Sequence, residues 1–499
     1  MTSTLLWSLI AVQIAMGAFD TLYHHELTER LAWRPSQRGE LRLHAVRNWL
    51  YALLFLTLGF VEPKGFLAWI VMGVLIVEVI ITLMDFVEED LSRRLPATER
   101  VNHTLLALNY GAILVLILPV LLGWAGEATG MAWVSHGAWS LLALIASLSV
   151  AVFGLRDWFA AERSERLGLA SAAGLADALA PAQKILVTGG TGFVGQRLVA
   201  SLAAAGHEVT VLTRDGAKAA ALPAPLRVVT SLDQLPGDTR LDAIVNLAGE
   251  PIADGLWTRA KRRAILASRL RTTRRLAKLV ARLDRPPSVV VSGSAVGWYG
   301  SRGDEGLVES SPAAPAFTHR VCEAWEREAM DIAAFGPRIV VLRTGLVLGV
   351  EGGLLARLLM PFEFGLGGRI GSGRQWMSWI SRDDLVRLIC HAVATPSPSG
   401  PVNATAPEPV RNADFSAFLA RQLRRPVLLP LPARLLHGLG RDFADEMLLG
   451  GQRVLPQKAL ASGFRFRHVR LDTALASILG QDEGQEAPVH SAAMVAAGK

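Results

Sequence analysis

The sequence predicts an α/β chain, a doubly wound parallel sheet with a small C-terminal substrate-side module, preceded by an all-α transmembrane bundle. Three observations predict it. Five apolar stretches crowd the chain before residue 156, a buried strand turns through three spaced glycines into an amphipathic helix at 184–207, and strand and helix patterns alternate from there to about residue 430. At 499 residues the chain exceeds what one core fills, and 51% hydrophobic against 19% charged residues is too apolar for a water-soluble protein of that size. The expected organisation is a helical membrane domain over 1–160, a linker over 161–182, the sheet domain over 183–430, the module over 431–482 and a disordered tail over 483–499. The formal charge of +7 is spread over scattered arginines without aromatic interleaving, which argues against a nucleic-acid partner. Cys322 and Cys390 stand too far apart for a metal motif or a disulfide framework.

The apolar stretches cover 5–22, 48–61, 65–86, 104–125 and 131–155, most of them near the ~20 residues a bilayer crossing needs. The second reaches that length only by extending back through His44 and Arg47, whose side chains are expected to snorkel outward. The first carries no basic start or cleavage site and is expected to be retained. Basic residues alternate between the loops: Arg30, Arg34, Arg38, Arg42 and Arg47 follow the first span, Arg93, Arg94 and Arg100 the third, and Arg156, Arg163 and Arg166 the fifth, whereas the other loops hold only Lys64. Positively charged loops stay cytoplasmic, so the N-terminus is expected outside and everything after Arg156 in the cytoplasm, with the lipid bilayer as a partner.

Polar groups gather on that same side. Asp20, His24, His25 and Glu26 end the first span, His44 enters the second, Asp85, Glu88 and Glu89 end the third, His103 enters the fourth, and Glu78 lies deeper. Imidazoles and carboxylates at one level suit iron, copper or zinc, which makes His24, His44, Glu78, Asp85 and His103 the candidate ligands. The competing reading is that helix ends are ordinarily polar and Glu78 is paired. The absence of a Glu-x-x-His pair favours it.

An Ala-rich segment, partly helical in pattern, leads to Lys184-Ile-Leu-Val-Thr-Gly-Gly-Thr-Gly-Phe-Val-Gly195. Gly189 permits the tight turn, Gly192 lets backbone approach a pyrophosphate, Gly195 lets helix and strand pack closely, and Phe193 and Val194 open the helix whose N-terminus faces the phosphates. Strand before, helix after, and a second strand, EVTVLTR, supply the context a Rossmann dinucleotide site requires. Where an acid would bind NAD ribose, that strand ends in Thr213 and Arg214, and a guanidinium there suits the 2′-phosphate of NADP(H). Asp215 next to it offers a ribose contact instead. A third strand delivers Asn246, Leu247, Ala248 and Gly249 to the carboxyl edge of the sheet, and a fourth, SVVVSGSAVGWYG, brings Ser292, Ser294 and Tyr299 toward the nicotinamide.

From about 184 to 480 the sequence resembles the atypical extended short-chain dehydrogenases/reductases of the epimerase family. The resemblance rests on TGGTGFVG, NLAGEPIAD with Trp257 and Ser268-Arg269, SGSAVGWYG, FTHRVCEAWE, LRTGLVLG, GLGGRIGSGRQWMSWI with Asp384, PVRNADF and GGQRVLPQKALASGFRFR, the last resembling the group's C-terminal module. It implies an NADP(H)-binding oxidoreductase or epimerase acting on an unknown small molecule, with a lipid-derived substrate suiting a membrane anchor. Active members of the wider superfamily use a tyrosine activated by a lysine four residues on, assisted by serine or threonine. That pair is missing here. Phe317, Thr318, His319, Arg320 and Cys322 stand in its place.

Three readings follow. Ser294, with Tyr299, Thr318 or His319, replaces the lost pair and the protein reduces a carbonyl or double bond. Alternatively, it binds NADP(H) without turnover, as a redox sensor or assembly factor. The third reading, electron delivery to a metal in the helical domain, fits hydride chemistry poorly. Glu250, Arg343, Arg374, Trp376 and Trp379 are substrate-contact candidates whose ordinary alternative is capping or packing, and Cys322 is expected to be a buried apolar group. Self-association is left open.

Overall fold

The computed structural model describes residues 4–93, 95–168, 172–220 and 222–481, and its contacts divide the chain into two units, Met1–Ala170 and Ser171–Lys499. Arg94, the middle of the expected linker and the expected tail over 483–499 lie outside the described residues.

The first unit is helical: α1 (Thr4–Phe19), α2 (Arg38–Phe60), α3 (Phe66–Ser92), α4 (Ala97–Ala125) and α5 (Ala138–Gly168). Five of its helical segments are long and apolar enough to cross a membrane by length and composition. Their inward faces pack Leu6, Leu58, Ile117, Leu121 and Ala143 into one core, while Ile76, Leu83, Val115 and Val152 on the outward faces are equally apolar and exposed. An antiparallel pair of strands, β1 (Val61–Lys64) and β2 (Gly130–Trp133), joins two of the connections. Helix α5 runs on into the stretch expected as linker and ends at Gly168. Beyond α1 the backbone widens into a π-helix, Asp20–Glu29, an uncommon geometry that concentrates at functional sites. His44 and Arg47 do not snorkel: both turn inward to the Asp85 carboxylate, because a buried charge must be paired or hydrogen-bonded.

The second unit opens with β3 (Lys184–Thr188), α6 (Phe193–Ala204), β4 (Glu208–Leu212), α7 (Gly216–Ala219), β5 (Leu226–Val229), β6 (Ala243–Asn246), α8 (Arg259–Arg282) and β7 (Val289–Ala295). It continues through β8 (Gly306–Leu307), α9 (Phe317–Met330), β9 (Arg338–Thr344), β10 (Leu346–Gly349), α10 (Gly353–Glu363), β11 (Trp376–Met377), β12 (Trp379–Ser381), α11 (Arg382–Ala394) and β13 (Gly400–Ala404). Seven strands form one parallel sheet in the order β13-β9-β7-β6-β3-β4-β5. The expected doubly wound fold is therefore present. Chain order reverses between β3 and β6, which opens a crevice at their carboxyl ends.

Alternation along each strand builds two cores. Ile185 and Val187 face Leu198 and Leu202 of α6 and Ile389 of α11, whereas Leu186 between them faces Leu276 and Leu279 of α8 on the opposite side. Each such side chain contributes roughly 1.5–3 kcal/mol on burial. The C-terminal segment is not a separate lobe: Ala459, Phe464 and Phe466 sit in the same apolar cluster as β3 and α11. Buried Asp384 fastens it, accepting from the Arg467 and His468 backbone N–H groups at 2.9 Å each.

Candidate functional site

The loop after β3 is shaped by backbone approaches that leave no room for side chains. Gly189 holds φ +71°, and a Cβ there would lie 2.8 Å from the Leu247 carbonyl carbon. A Cβ on Gly195 would stand 2.1 Å from the Gly189 carbonyl oxygen, so glycine alone lets α6 begin this close to its strand. Gly192 precedes the helix with no side-chain cap, leaving the first N–H groups of α6 to the crevice. The Phe193 ring turns aside to pack against Gly349 and Gly352, with the Arg382 guanidinium 5.1 Å over its face, and Val194 packs on the core.

The other expected cofactor residues divide. Thr213 is buried and its hydroxyl turns onto Asp215, accepting from that N–H at 3.2 Å. Arg214 is exposed at the end of β4 with no ion pair among the described residues. Leu247, Ala248 and Gly249 line the edge, where the Ala248 N–H donates to the Thr188 hydroxyl at 3.3 Å. Asn246 and Ser292, expected at the cofactor, lie beneath the edge instead. Asn246 accepts from Thr188 at 2.7 Å and donates to Thr273 at 3.1 Å and Ser292 at 3.3 Å, a buried net that satisfies polar groups of β3, β6, β7 and α8.

The candidate catalytic side chains are largely committed elsewhere. Ser294 donates to Glu326 at 2.6 Å, and Glu326 receives Arg343 in a two-point pair at 3.0 and 2.9 Å. Arg343 also donates to the Tyr299 hydroxyl at 3.2 Å and to the Glu309 carbonyl at 3.2 Å, and Tyr299 donates to Asn403 at 2.7 Å. Tyr299 is fully buried. Burial raises its phenol above the ordinary value despite Arg343, the reverse of what a proton-abstracting tyrosine requires. Thr318 donates to Glu446, whose carboxylate also accepts from the Phe317 and Thr318 N–H groups, all at 2.9 Å, so an anion from the C-terminal segment caps α9. His319 differs. Its Nδ1 lies 2.8 Å from the Trp298 carbonyl, which can only accept, so Nδ1 carries the proton and Nε2 is left to exchange one.

The remaining candidates fall to ordinary roles. Burial pushes the Cys322 thiol up to about 11 and the Cys390 thiol to about 12, which removes both as nucleophiles. Glu250 pairs with Lys261 at 2.8 Å. Trp379 is core, its ring N–H satisfied by the Glu408 carbonyl, while Trp376 bonds Asp304 and carries Arg411 over its face at 4.1 Å. Arg374 gives its carbonyl to Arg411. Glu326, Asn403 and Glu446 were not anticipated. Glu326 ends the FTHRVCEAWE motif and Arg343 is the second residue of LRTGLVLG, but no local spacing links them.

In the first unit the expected ligands also separate. His44 and His103 approach His25, whereas both ring nitrogens of His24 are hydrogen-bonded, to Asp20 at 2.8 Å and Thr98 at 3.3 Å. Glu78 accepts from Thr82 at 2.7 Å and Asp85 from Arg47, which leaves both outside the grouping.

The fold and its glycine crevice define an α/β protein of the short-chain dehydrogenase type. The chain belongs to the epimerase family: residues 185–404 match the NAD dependent epimerase/dehydratase family and residues 431–478 a domain of unknown function, DUF1731. Epimerase family protein YfhF of Bacillus subtilis is 37% identical over 299 residues, 59% of this chain and 97% of that protein. The chloroplastic homolog of epimerase family protein SDR39U1 from Arabidopsis thaliana is 39% identical over 313 residues, 59% of this chain and 86% of that one. The crystal structure of human epimerase family protein SDR39U1 (isoform 2) with NADPH is similar at a TM-score of 0.54 and 36% identity, covering 60% of this chain and 99% of that chain.

The buried pair generates a stability test. Glu326→Gln strands the Arg343 charge and is expected to cost about 3–5 kcal/mol, much of it recovered in Glu326→Gln/Arg343→Met. Denaturant unfolding of the full chain measures both, and an unchanged midpoint in the single variant contradicts the role given to the pair.

Proposed function

We propose that this chain is a membrane-anchored, NADP(H)-binding epimerase-family reductase. The observation that carries the nucleotide assignment is Arg214, an exposed guanidinium at the end of β4 where an NAD site would need an acid. The glycine loop fits a pyrophosphate, since a Cβ would fill its cradle, and the human relative's NADPH complex supports the same reading. Gly189, Gly192 and Gly195 with the first turn of α6 would hold the phosphates, Leu247 to Gly249 the adenosine side, and Arg214 the 2′-phosphate. When bound, NADPH supplies a hydride. His319 is the side chain left to deliver the accompanying proton: its imidazolium would give up the Nε2 proton, take one back from solvent, and keep Nδ1–H on the Trp298 carbonyl throughout. Ser294 and Tyr299 position that region without touching substrate.

A second reading, NADP(H) binding without turnover, is favoured by the commitment of the Ser294, Tyr299 and Thr318 hydroxyls to Glu326, Asn403 and Glu446. Turnover separates the two. Over a panel of carbonyls and enones, the reductase reading expects substrate-dependent NADPH oxidation that falls about a hundredfold or more in His319→Gln, with nucleotide affinity retained. No oxidation with any substrate would favour the sensor.

For the nucleotide itself, Arg214→Ala is expected to weaken NADPH about ten- to a hundredfold, the worth of a charge-assisted contact, while NADH changes little. Titration calorimetry reads both, and equal losses would overturn the assignment.

The membrane reading is supported by the five apolar helical segments, their exposed apolar faces and the alternation of arginines between loops. With the N-terminus outside and the second unit in the cytoplasm, alkaline phosphatase fused after Glu127 should be active and fused after Glu165 inactive. The opposite pattern reverses the topology.

A further inference from the structure

One end of the helical unit brings together the π-helix, the start of α2, the end of α3 and the start of α4, and the side chains it collects are those that bind transition metals. Two overlapping groups of four form there, each with its ligand atoms within 4.8 Å of one another: Asp20, His25, Glu99 and His103, and His25, Glu40, His44 and Glu89. We propose that this end binds first-row divalent transition metal, iron, manganese or zinc, with His25 shared between two adjacent positions. The centre lies within the helical unit and does not rest on the NADP(H) reading.

Three features carry it. The first is a set of orphaned polar atoms. Both carboxylate oxygens of Glu89 are buried outside hydrogen-bond geometry, and so are His25 Nε2 and His44 Nε2, which meet only carboxylate oxygens, of Asp20 and Glu99 and of Asp85 and Glu89, on side chains less than a tenth exposed. Such atoms cost free energy unless something fills the space between them. The second is spacing. Two donors each about 2.1 Å from one ion lie about 3.0–3.4 Å apart. Here Asp20 Oδ2 lies 3.3 Å from His25 Nε2 and 3.0 Å from His103 Nε2, and Glu99 Oε1 is 3.5 Å from His25 Nε2. Glu89 sits between the groups, one oxygen 3.9 Å from His44 Nε2 and the other 3.3 Å from His103 Nδ1, where it can orient the ring whose Nε2 faces Asp20.

The third feature is charge. Asp20, Glu40, Glu89 and Glu99 converge, and Arg93 bonds both Glu40 and Glu99. Arg47 is taken by Asp85 and Arg156 by Glu26. Protonating the histidines instead would set two imidazolium rings face to face, since His25 and His44 stack with centroids 4.6 Å apart and 10° between planes. Like charges at that distance repel strongly in a buried site. Divalent cations neutralise the carboxylates and leave the imidazoles neutral, with Arg93 bonded to both oxygens of Glu40 and of Glu99 as their orienting partner.

The test uses the full chain in detergent, stripped of metal, then incubated anaerobically with Fe2+, Mn2+, Zn2+ or Co2+, washed and assayed by mass spectrometry of the metal. At least one ion per chain is expected, reduced more than about tenfold in His25→Gln and Glu89→Gln and retained in Glu78→Gln. Wild-type protein that stays empty with every ion, or equal metal in all variants, overturns the proposal. Should the ligand variants aggregate, Co2+ bound to the wild type decides. A ligand-field spectrum of mixed nitrogen and oxygen donors supports the centre, and the spectrum of hydrated Co2+ refutes it.

Discussion

Inside the second unit the guanidinium of Arg343 is cut off from water, and its planar fork must be satisfied by protein alone. Glu326 from α9, the Tyr299 hydroxyl after β7 and the Glu309 carbonyl do so together, and Tyr299 passes the bond to Asn403 on β13. One buried charge thereby fixes the carboxyl ends of three neighbouring strands and the helix that crosses them. Short-chain dehydrogenases ordinarily turn serine and tyrosine hydroxyls at this level toward substrate. Here that tyrosine is absent and the Ser294, Tyr299 and Thr318 hydroxyls that could replace it are consumed by the scaffold, which is why His319, held through Nδ1, stands out chemically.

How far the sequence was legible depended on range. The four strands read from the sequence, β3, β4, β6 and β7, and the glycine turn are encoded within ten or so residues, and they lie where the pattern placed them, whereas β5, β9 and β13 were not read. Asn246 and Ser292 show the limit. They occupy the expected strand ends, but which way a polar side chain turns depends on partners such as Thr273, 27 residues from Asn246, and no local spacing reports that. Glu446, 128 residues from Thr318, was out of reach for the same reason.

The helical unit illustrates a different failure. The candidate ligands included His24 and left out its neighbour His25. From Asp20 to Glu29 the chain is π-helical, so the face rotates and His25 takes the inward position while His24 bonds Asp20 and Thr98. Glu40 and Glu99 were hidden among loop residues whose charges looked solvent-facing, yet both are fully buried against Arg93. Polarity in this unit is therefore concentrated at one end, with an apolar core and an apolar exterior along the rest.

Phe464 and Phe466 impose an order on synthesis. A ribosome that has released residues 1–450 has delivered all seven strands of the sheet and every helix of the first unit, but not the rings that close one face of the sheet. Helices α6 and α11 already cover that face, and its apolar cluster is completed only when the last tenth of the chain emerges. The second unit therefore completes its packing last, tethered to helices made earlier.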